Sequence, residues 1–141
     1  MKKREADFGI FFRHWLRAHP MRSCAFELKQ TRSHRLPFSA VKEHQLEFLL
    51  ATKSNKGILY KIADDSRGIK PFDMFYFRNA EAYVVIKYPE CFVMIEPKTF
   101  IFERDVLSTE QSLTAERAKK IAKYSYSTLS LKRPNAQLRR P

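Results

Sequence analysis

The chain has little of what disulfide-stabilised, zinc-binding and membrane-spanning proteins need. Its 141 residues include only two cysteines, Cys24 and Cys91, which are far apart and at no metal-ligand spacing from any histidine. We therefore expect two reduced thiols, and neither a disulfide framework nor a Cys/His zinc site. No apolar run approaches about 18 residues and no signal-peptide pattern opens the sequence, so neither a membrane span nor a secretory leader is expected.

Negative charge is also scarce, which favours a polyanionic partner. Asp and Glu number 15 against 27 Lys and Arg, and the net charge is +12. No acid follows Glu116, whereas eight basic residues do: Arg117, Lys119, Lys120, Lys123, Lys132, Arg133, Arg139 and Arg140. This charge favours nucleic acid first and an anionic membrane surface second, and the alternative is a merely basic protein.

Apolar periodicity predicts alternating helices and strands. Residues 3–18 repeat phenylalanine and tryptophan at helical spacing, and Ser39 is a candidate N-cap for a second helix over 40–53. A last, basic helix is expected over 116–124. The predicted strands cover 22–30, 58–63, 71–77 and 82–88, with short edge strands at 92–95 and 99–102.

These elements predict one domain of the α/β class. Hydrophobic residues make up 44% of the chain, with 12 phenylalanines, and the length is enough for a single core. The strand over 82–88 is the most apolar, so we expect it to be central. We predict a mixed central β-sheet flanked by helices over 1–124, followed by a basic, flexible tail over 125–141.

Glu27 and Lys29 are the most informative residues. They stand two positions apart on the strand over 22–30, so their side chains point to the same face. Their neighbours are apolar, which places the pair at the edge of a core. An acid beside a lysine suits metal-assisted phosphodiester cleavage, since the acid can hold a divalent cation while the lysine stabilises the attacking water or the phosphate charge. An isolated E-x-K is more often a surface strand with a charge pair.

Three further polar residues are candidates for the same site. Gln45 lies on the apolar stripe of the second helix, where a buried amide needs partners. Asp73 lies inside an otherwise apolar strand, where an unpaired carboxylate is costly. Glu5 prolongs the apolar stripe of the first helix. The structural alternatives are a satisfied amide for Gln45 and a first-turn acid favoured by the helix dipole for Glu5.

In chain order, several motifs resemble the PD-(D/E)XK nuclease superfamily. They are Phe26-Glu27-Leu28-Lys29, the basic loop with its Leu36-Pro37-Phe38 step, and the helix that carries His44-Gln45. The resemblance covers roughly residues 3–103 and is strongest to the RecU-type and archaeal-type Holliday-junction resolvases. It implies a restriction-endonuclease-like core.

The resemblance also implies roles for individual residues. Glu27 would bind Mg²⁺ or Mn²⁺, Lys29 would assist the water, and Glu5 and Gln45 would match the helical acid and glutamine of the family. The family's metal-binding aspartate normally precedes E-x-K on the neighbouring strand, but the residues between the first helix and Glu27 include no acid. Pro71-Phe72-Asp73 resembles the family's Pro-Asp step. We therefore expect the fold to bring Asp73 next to Glu27, so that the two carboxylates share the ion.

The resulting prediction is a Mg²⁺-dependent, structure-specific endodeoxyribonuclease that hydrolyses phosphodiester bonds in branched DNA during recombination and repair. Its expected partners are four-way junctions and a second copy of the chain, with no membrane and no organic cofactor. Its expected location is cytoplasmic and nucleoid-associated, and the small size fits a phage source. The candidate DNA contacts are Arg32, His34, Arg35, Lys42 and His44.

Two alternatives remain open at this point. One is a non-catalytic nucleic-acid-binding protein with a degenerate nuclease site, which is expected if Asp73 does not reach Glu27. The other is a basic interaction protein, such as a ribosome-associated or phage structural factor, which predicts no clustering of Glu27, Lys29 and Asp73.

Overall fold

The computed structural model describes residues 2–19, 23–64 and 66–128, with side chains from residue 7 onward. In this part, four α-helices, a mixed four-stranded sheet and two two-stranded sheets form an α/β protein. The helices are α1 (Lys2–Ala18), α2 (Glu43–Lys53), α3 (Pro97–Phe102) and α4 (Ala115–Ile121). The strands are β1 (Cys24–Gln30), β2 (Arg35–Pro37), β3 (Ile58–Lys61), β4 (Met74–Phe77), β5 (Glu81–Lys87), β6 (Cys91–Ile95), β7 (Ser112–Thr114) and β8 (Tyr124–Ser127). None of the described helices has the length and apolar composition that crossing a bilayer requires.

The four-stranded sheet has the order β1-β5-β6-β8, so the E-x-K strand is at one edge. β1 runs parallel to β5, with Glu27 opposite Val84, whereas the other neighbouring strands are antiparallel. All of β6 and the middle of β5 are buried, which is why both read as continuous apolar runs. The predicted mixed sheet is therefore confirmed, and so is the central position of the strand over 82–88.

Two layers of helices cover the two faces of this sheet. On one face α1 buries Phe8, Phe12 and Trp15 against aromatic and aliphatic residues of β5 and β6. On the other face α2 and α3 bury Leu46 and Phe100 against alternate side chains of the same strands. The helical spacing of aromatic residues thus predicted both the first helix and the stripe that it buries.

The second helix begins later than Ser39 predicts. Ser39 lies in a 3-10 turn, Phe38–Ala40, and α2 starts at Glu43 with Lys42 as its N-cap. A lysine side chain has no acceptor for the free N–H groups of the first turn. The side-chain oxygen of Gln45 instead accepts a 2.8 Å hydrogen bond from the backbone N–H of Lys42. The glutamine at the third helical position therefore caps the start of α2.

β3 and β4 form a separate hairpin that packs on α2. The ring of Tyr60 meets the ring of Phe48 edge-on, with 5.6 Å between centroids. Gly57 begins the hairpin at a φ of +73°, and a Cβ there would overlap the carbonyl oxygen of Phe77 and lie 2.6 Å from Cβ of Arg78. Only glycine fits this conformation and this close approach.

Of the two short edge strands predicted, the one at 92–95 is a strand but not an edge, and the one at 99–102 is not a strand. The sequence predicts a short edge strand at 92–95, but β6 lies between β5 and β8 and is buried along its length. It also predicts a strand at 99–102, where the chain is helical. Pro97 occupies the first turn of α3, a position that proline favours, and a π-helical turn, Glu103–Leu107, extends the helix.

The domain also extends further than the predicted boundary at 124. The helix predicted over 116–124 ends at Ile121, and β8 then pairs with β6. Residues 125–127 therefore belong to the main sheet rather than to a tail, because tyrosines of β8 pack on the α1 side of the core. Residues 129–141 lie outside the described part of the chain.

Candidate active site

Glu27 and Lys29 project from β1 on the same side, as their spacing predicts. Nζ of Lys29 lies 3.0 Å from Oε1 of Glu27. The Glu27 side chain is 24% exposed and that of Lys29 is 17% exposed. A pair so largely withdrawn from water is held more firmly than a surface pair, because solvent screens its charges less.

Gln45 connects this pair to α2. Its Nε2 donates a 2.8 Å hydrogen bond to Oε1 of Glu27, while its Oε1 accepts from the N–H of Lys42. The second bond fixes which end of the amide faces the carboxylate, since the donor end must then point to Glu27. The structure therefore brings together three of the predicted site residues, Glu27, Lys29 and Gln45.

The two oxygens of the Glu27 carboxylate have different environments. Oε1 receives both the ammonium of Lys29 and the amide of Gln45. Oε2 receives no hydrogen bond or ion pair from the residues that the structure describes. The carboxylate is thus held in one orientation by one oxygen, and its other oxygen is available to a hard cation or to a hydrogen-bond donor.

Asp73 is not joined to this cluster by any hydrogen bond or ion pair within the described residues. It precedes β4, its carboxylate lies 3.1 Å from Nζ of Lys70, and its side chain is 77% exposed. Lys70 also contacts Asp64 at 2.5 Å, and these contacts raise the pKa of Lys70 above its ordinary value. The expected sharing of an ion between Asp73 and Glu27 stays a prediction, and the described side chains contain no cluster of three or more potential metal ligands.

Glu5, the fifth candidate, lies in the first turns of α1, but its side chain is outside the described residues.

The five predicted DNA contacts are all exposed, and one of them is paired with an acid. Arg32 and His34 lie in the turn that follows β1, and Lys42 and His44 lie at the start of α2. Arg35 instead forms an ion pair with Glu110. Both segments flank the Glu27 cluster. The turn follows β1, which carries Glu27 and Lys29, and the start of α2 carries Gln45.

Sequence reasoning missed an ion pair between a buried acid just after α3 and an exposed arginine of α4. Glu103 is only 5% exposed, and its two oxygens accept hydrogen bonds of 2.8 and 3.0 Å from Nε and Nη2 of Arg117. A two-pronged pair of this kind matches the planar guanidinium to the carboxylate and raises the pKa of Arg117. An acid on a helix and a base 14 residues later carry no spacing signal that could have revealed the pair.

The two cysteines are reduced, as the sequence predicts, and their surroundings make them unreactive. Burial, together with the nearby charge of Glu81, raises the pKa of the Cys24 thiol to about 11. Burial likewise raises the pKa of Cys91. Neither cysteine is in a disulfide, and the raised pKa values keep both thiols protonated at neutral pH, so neither is a nucleophile for this site.

Comparisons with protein-family models, with curated proteins and with solved structures gave no match.

Proposed function

We propose that this protein is a Mg²⁺-dependent, structure-specific DNA endonuclease that hydrolyses phosphodiester bonds in branched DNA, in the manner of a Holliday-junction resolvase. The observation that carries the proposal is the carboxylate of Glu27. Lys29 and Gln45 both bind its Oε1, and Oε2 is left without a described partner. An E-x-K pair completed by a helical glutamine is the combination that the resemblance to PD-(D/E)XK nucleases implies, and a mixed sheet flanked by helices suits a restriction-endonuclease-like core.

The donor set fits a hard divalent cation. Mg²⁺ is commonly bound by one or two carboxylates together with water and substrate phosphate, rather than by a closed protein cage. Glu27 would hold the ion through Oε2, and Asp73 would be the second ligand. The ion would supply Lewis acidity at the phosphate and at the attacking water.

The chain's own residues contribute orientation and charge. Gln45 holds the carboxylate of Glu27 in one rotamer through a bond that the helix start fixes at its other end. Lys29 places a positive charge beside the carboxylate, where it can stabilise the negative charge that grows on a phosphate during hydrolysis. Arg32, His34, Lys42 and His44 are exposed around this cluster and can hold the DNA backbone.

The test compares cleavage and binding of a labelled four-way junction. Glu27→Ala is expected to abolish Mg²⁺-dependent cleavage and to leave the affinity for the junction, measured in Ca²⁺, within about twofold. Glu47→Ala is the matched control, because it removes an exposed acid from α2 without touching the cluster. Cleavage at the wild-type rate by Glu27→Ala, or none by the wild type in Mg²⁺ or Mn²⁺, would contradict the proposal.

One observation favours a second candidate function, a nucleic-acid-binding protein without catalysis. Asp73 is paired with Lys70 and is largely exposed, so the second carboxylate has a partner other than an ion. A single carboxylate beside a lysine attracts a divalent cation weakly, because the ammonium already neutralises its charge. Calorimetric titration with Mn²⁺ separates the two functions. Only the nuclease requires an ion to bind at Glu27, and that binding should be lost in Glu27→Ala.

A further inference from the structure

The hairpin β3–β4 carries much of the exposed apolar surface of the described chain. The described chain has ten exposed large hydrophobic side chains, and six of them lie between residues 59 and 76. The register pairs Leu59 with Tyr76 and Lys61 with Met74, so these four side chains share one face of the hairpin. The opposite face, which includes Tyr60 and Phe75, turns towards α2. The hairpin therefore has an inner face that contacts α2 in part, with Tyr60 still half exposed, and an outer face on which Leu59, Met74 and Tyr76 are exposed.

Three of the four side chains on the outer face, Leu59, Met74 and Tyr76, are large and apolar, and the fourth is Lys61. Leu59 is 59% exposed, Met74 is 48% exposed and Tyr76 is 54% exposed. The ring of Tyr76 is also held in place, because its hydroxyl donates a 2.6 Å hydrogen bond to the carbonyl oxygen of Lys56. A contiguous exposed apolar surface with a fixed aromatic ring is characteristic of a binding surface.

The charges around this face are positive. Lys56, Lys61 and Arg78 are exposed, and the described residues provide no acidic partner for any of them. The described acids of the hairpin, Asp64 and Asp73, lie beyond its other end and are paired with Lys70. A mostly apolar face bordered by exposed cations complements a polyanion with apolar surfaces. A second copy of the chain would bring the same cations against this face, which disfavours self-association.

A cleft lies at the foot of the hairpin, beside the same residues. It has a volume of about 470 Å³, and Tyr76 and Arg78 form part of its wall. Glu81 also lines it and lies 4.0 Å from Lys123. A space of this size beside a tyrosine ring and a guanidinium can receive an unstacked nucleobase.

We propose that the outer face of the hairpin binds unpaired nucleotides. One base stacks on Tyr76 between Leu59 and Met74, while Lys56, Lys61 and Arg78 contact the phosphates, a combination that holds single strands without reading their sequence. This inference rests on the proposed nucleic-acid partner and adds to it a substrate feature, unpaired bases. The hairpin packs on α2 through Phe48, one helical turn from Gln45, so it is attached to the helix that positions the carboxylate.

The first experiment measures the affinity of the full chain for a short fluorescent oligothymidylate and for a blunt duplex of mixed sequence. Tyr76→Ala is expected to weaken binding to the single strand about 5- to 10-fold, because it removes one stacked base. Tyr76→Phe keeps the ring and should bind within about twofold of the wild type. Leu107→Ala is the matched control, since it removes an equally exposed apolar side chain from the π-helical turn. Duplex affinity should be unchanged in all three.

The second experiment locates the base directly. Oligothymidylate carrying 5-iodouracil crosslinks on irradiation to an aromatic ring against which the base is stacked. The crosslink is expected at Tyr76, within the tryptic peptide 68–78, and should be lost in Tyr76→Ala. A crosslink on another aromatic residue, or wild-type affinity of Tyr76→Ala for oligothymidylate, would overturn the inference.

Controls separate this inference from its rivals. Circular dichroism and thermal melting establish that each variant is folded. If sedimentation shows a dimer that Tyr76→Ala dissociates while single-strand affinity is unchanged, the face is a self-association surface and the inference is wrong. The proposed endonuclease is tested independently with Glu27→Ala. Loss of oligothymidylate binding in Tyr76→Ala supports the inference even if no cleavage is found, and cleavage without that loss refutes the inference alone.

Discussion

The side chain of Gln45 donates from its amide nitrogen to the Glu27 carboxylate and accepts with its amide oxygen from the backbone N–H of Lys42, the N-cap of α2, both at 2.8 Å. The same residue therefore stabilises a helix start and orients a carboxylate on the neighbouring strand. Substitutions can separate these two roles, because glutamate keeps the acceptor and loses the donor, whereas alanine loses both.

We predict that Gln45→Ala lowers the free energy of unfolding by about 0.5–2 kcal/mol, the usual effect of losing an N-terminal helix contact. Gln45→Glu keeps the acceptor for Lys42, but it places a second carboxylate against Glu27, so like-charge repulsion offsets the retained hydrogen bond. Both variants should slow junction cleavage at least about tenfold, because Glu27 loses the donor that orients it. Chemical denaturation and single-turnover rates measure the two effects, and wild-type cleavage by Gln45→Glu would show that the hydrogen bond serves folding alone.

Lys29 should act on the reaction rather than on binding. Lys29→Met keeps the length of the apolar stem and removes the charge, so we expect the cleavage rate to fall about 10²- to 10³-fold with little change in junction affinity. Lys87→Met is the control, because Lys87 is also half-buried and belongs to the adjacent strand, where it pairs with Gln30 rather than with Glu27. Equal losses of rate and affinity in Lys29→Met would make Lys29 a phosphate contact.

Asp73 and Asp64 offer a matched pair of substitutions. Both are exposed, and both contact the ammonium of Lys70. If Asp73 is the second ligand of the ion, Asp73→Ala should abolish Mg²⁺-dependent cleavage while Asp64→Ala leaves it intact. Similar activity in the two variants would mean that Asp73 serves only to hold Lys70. The prediction that Asp73 and Glu27 share an ion would then be wrong.

Two glycines in the left-handed region test how the hairpin is anchored. Gly68 has a φ of +64° with open space around it, so Gly68→Ala should cost about 1–2 kcal/mol of stability. Gly57→Ala should cost more, because its Cβ would also overlap the backbone of Phe77. Thermal melting gives both values. A smaller loss in Gly57→Ala than in Gly68→Ala would show that the hairpin foot can shift without penalty.

The basic residues after β8 should contribute to the salt dependence of DNA binding. Residues 129–141 include Lys132, Arg133, Arg139 and Arg140 and no acid. Each phosphate that they neutralise contributes about 0.9 to the slope of log affinity against log salt concentration on duplex DNA. Deleting 129–141, which leaves β8 intact, should flatten that slope for junctions and linear duplex alike. An unchanged slope would mean that these charges do not contact DNA.

The local part of the candidate site could be predicted from the sequence. A period of two placed Glu27 and Lys29 on one face, and a helical stripe placed Gln45 towards the sheet. The hydrogen bond between Gln45 and Glu27 depends on packing α2 against β1 and could be expected only through the resemblance. The role of Gln45 in capping α2 was missed because Ser39 is the stronger N-cap residue by type.

The errors in the predicted fold have separate physical causes. Short apolar runs do not distinguish a strand from a buried helix, so 99–102 was assigned as a strand although Pro97 opens a helix there. Burial on both faces makes β6 a continuous apolar run. Its interior position in the sheet depends on β8, and the paired residues of β6 and β8, from Met94 with Tyr124 to Cys91 with Ser127, are far apart in the sequence. Alternation within Tyr124–Ser127 is too short to stand out beside the positive charges that follow it.

A nascent chain cannot hold Glu27 in place until β5 has emerged from the ribosome. The parallel register pairs Cys24 with Glu81, 57 residues later, and the hairpin and α2 both lie between them. Such non-local pairing forms slowly, because a long loop must close before any strand contact is gained. The E-x-K strand is synthesised early but assembled late, and a chain that stops before Glu81 would contain the whole motif without its geometry.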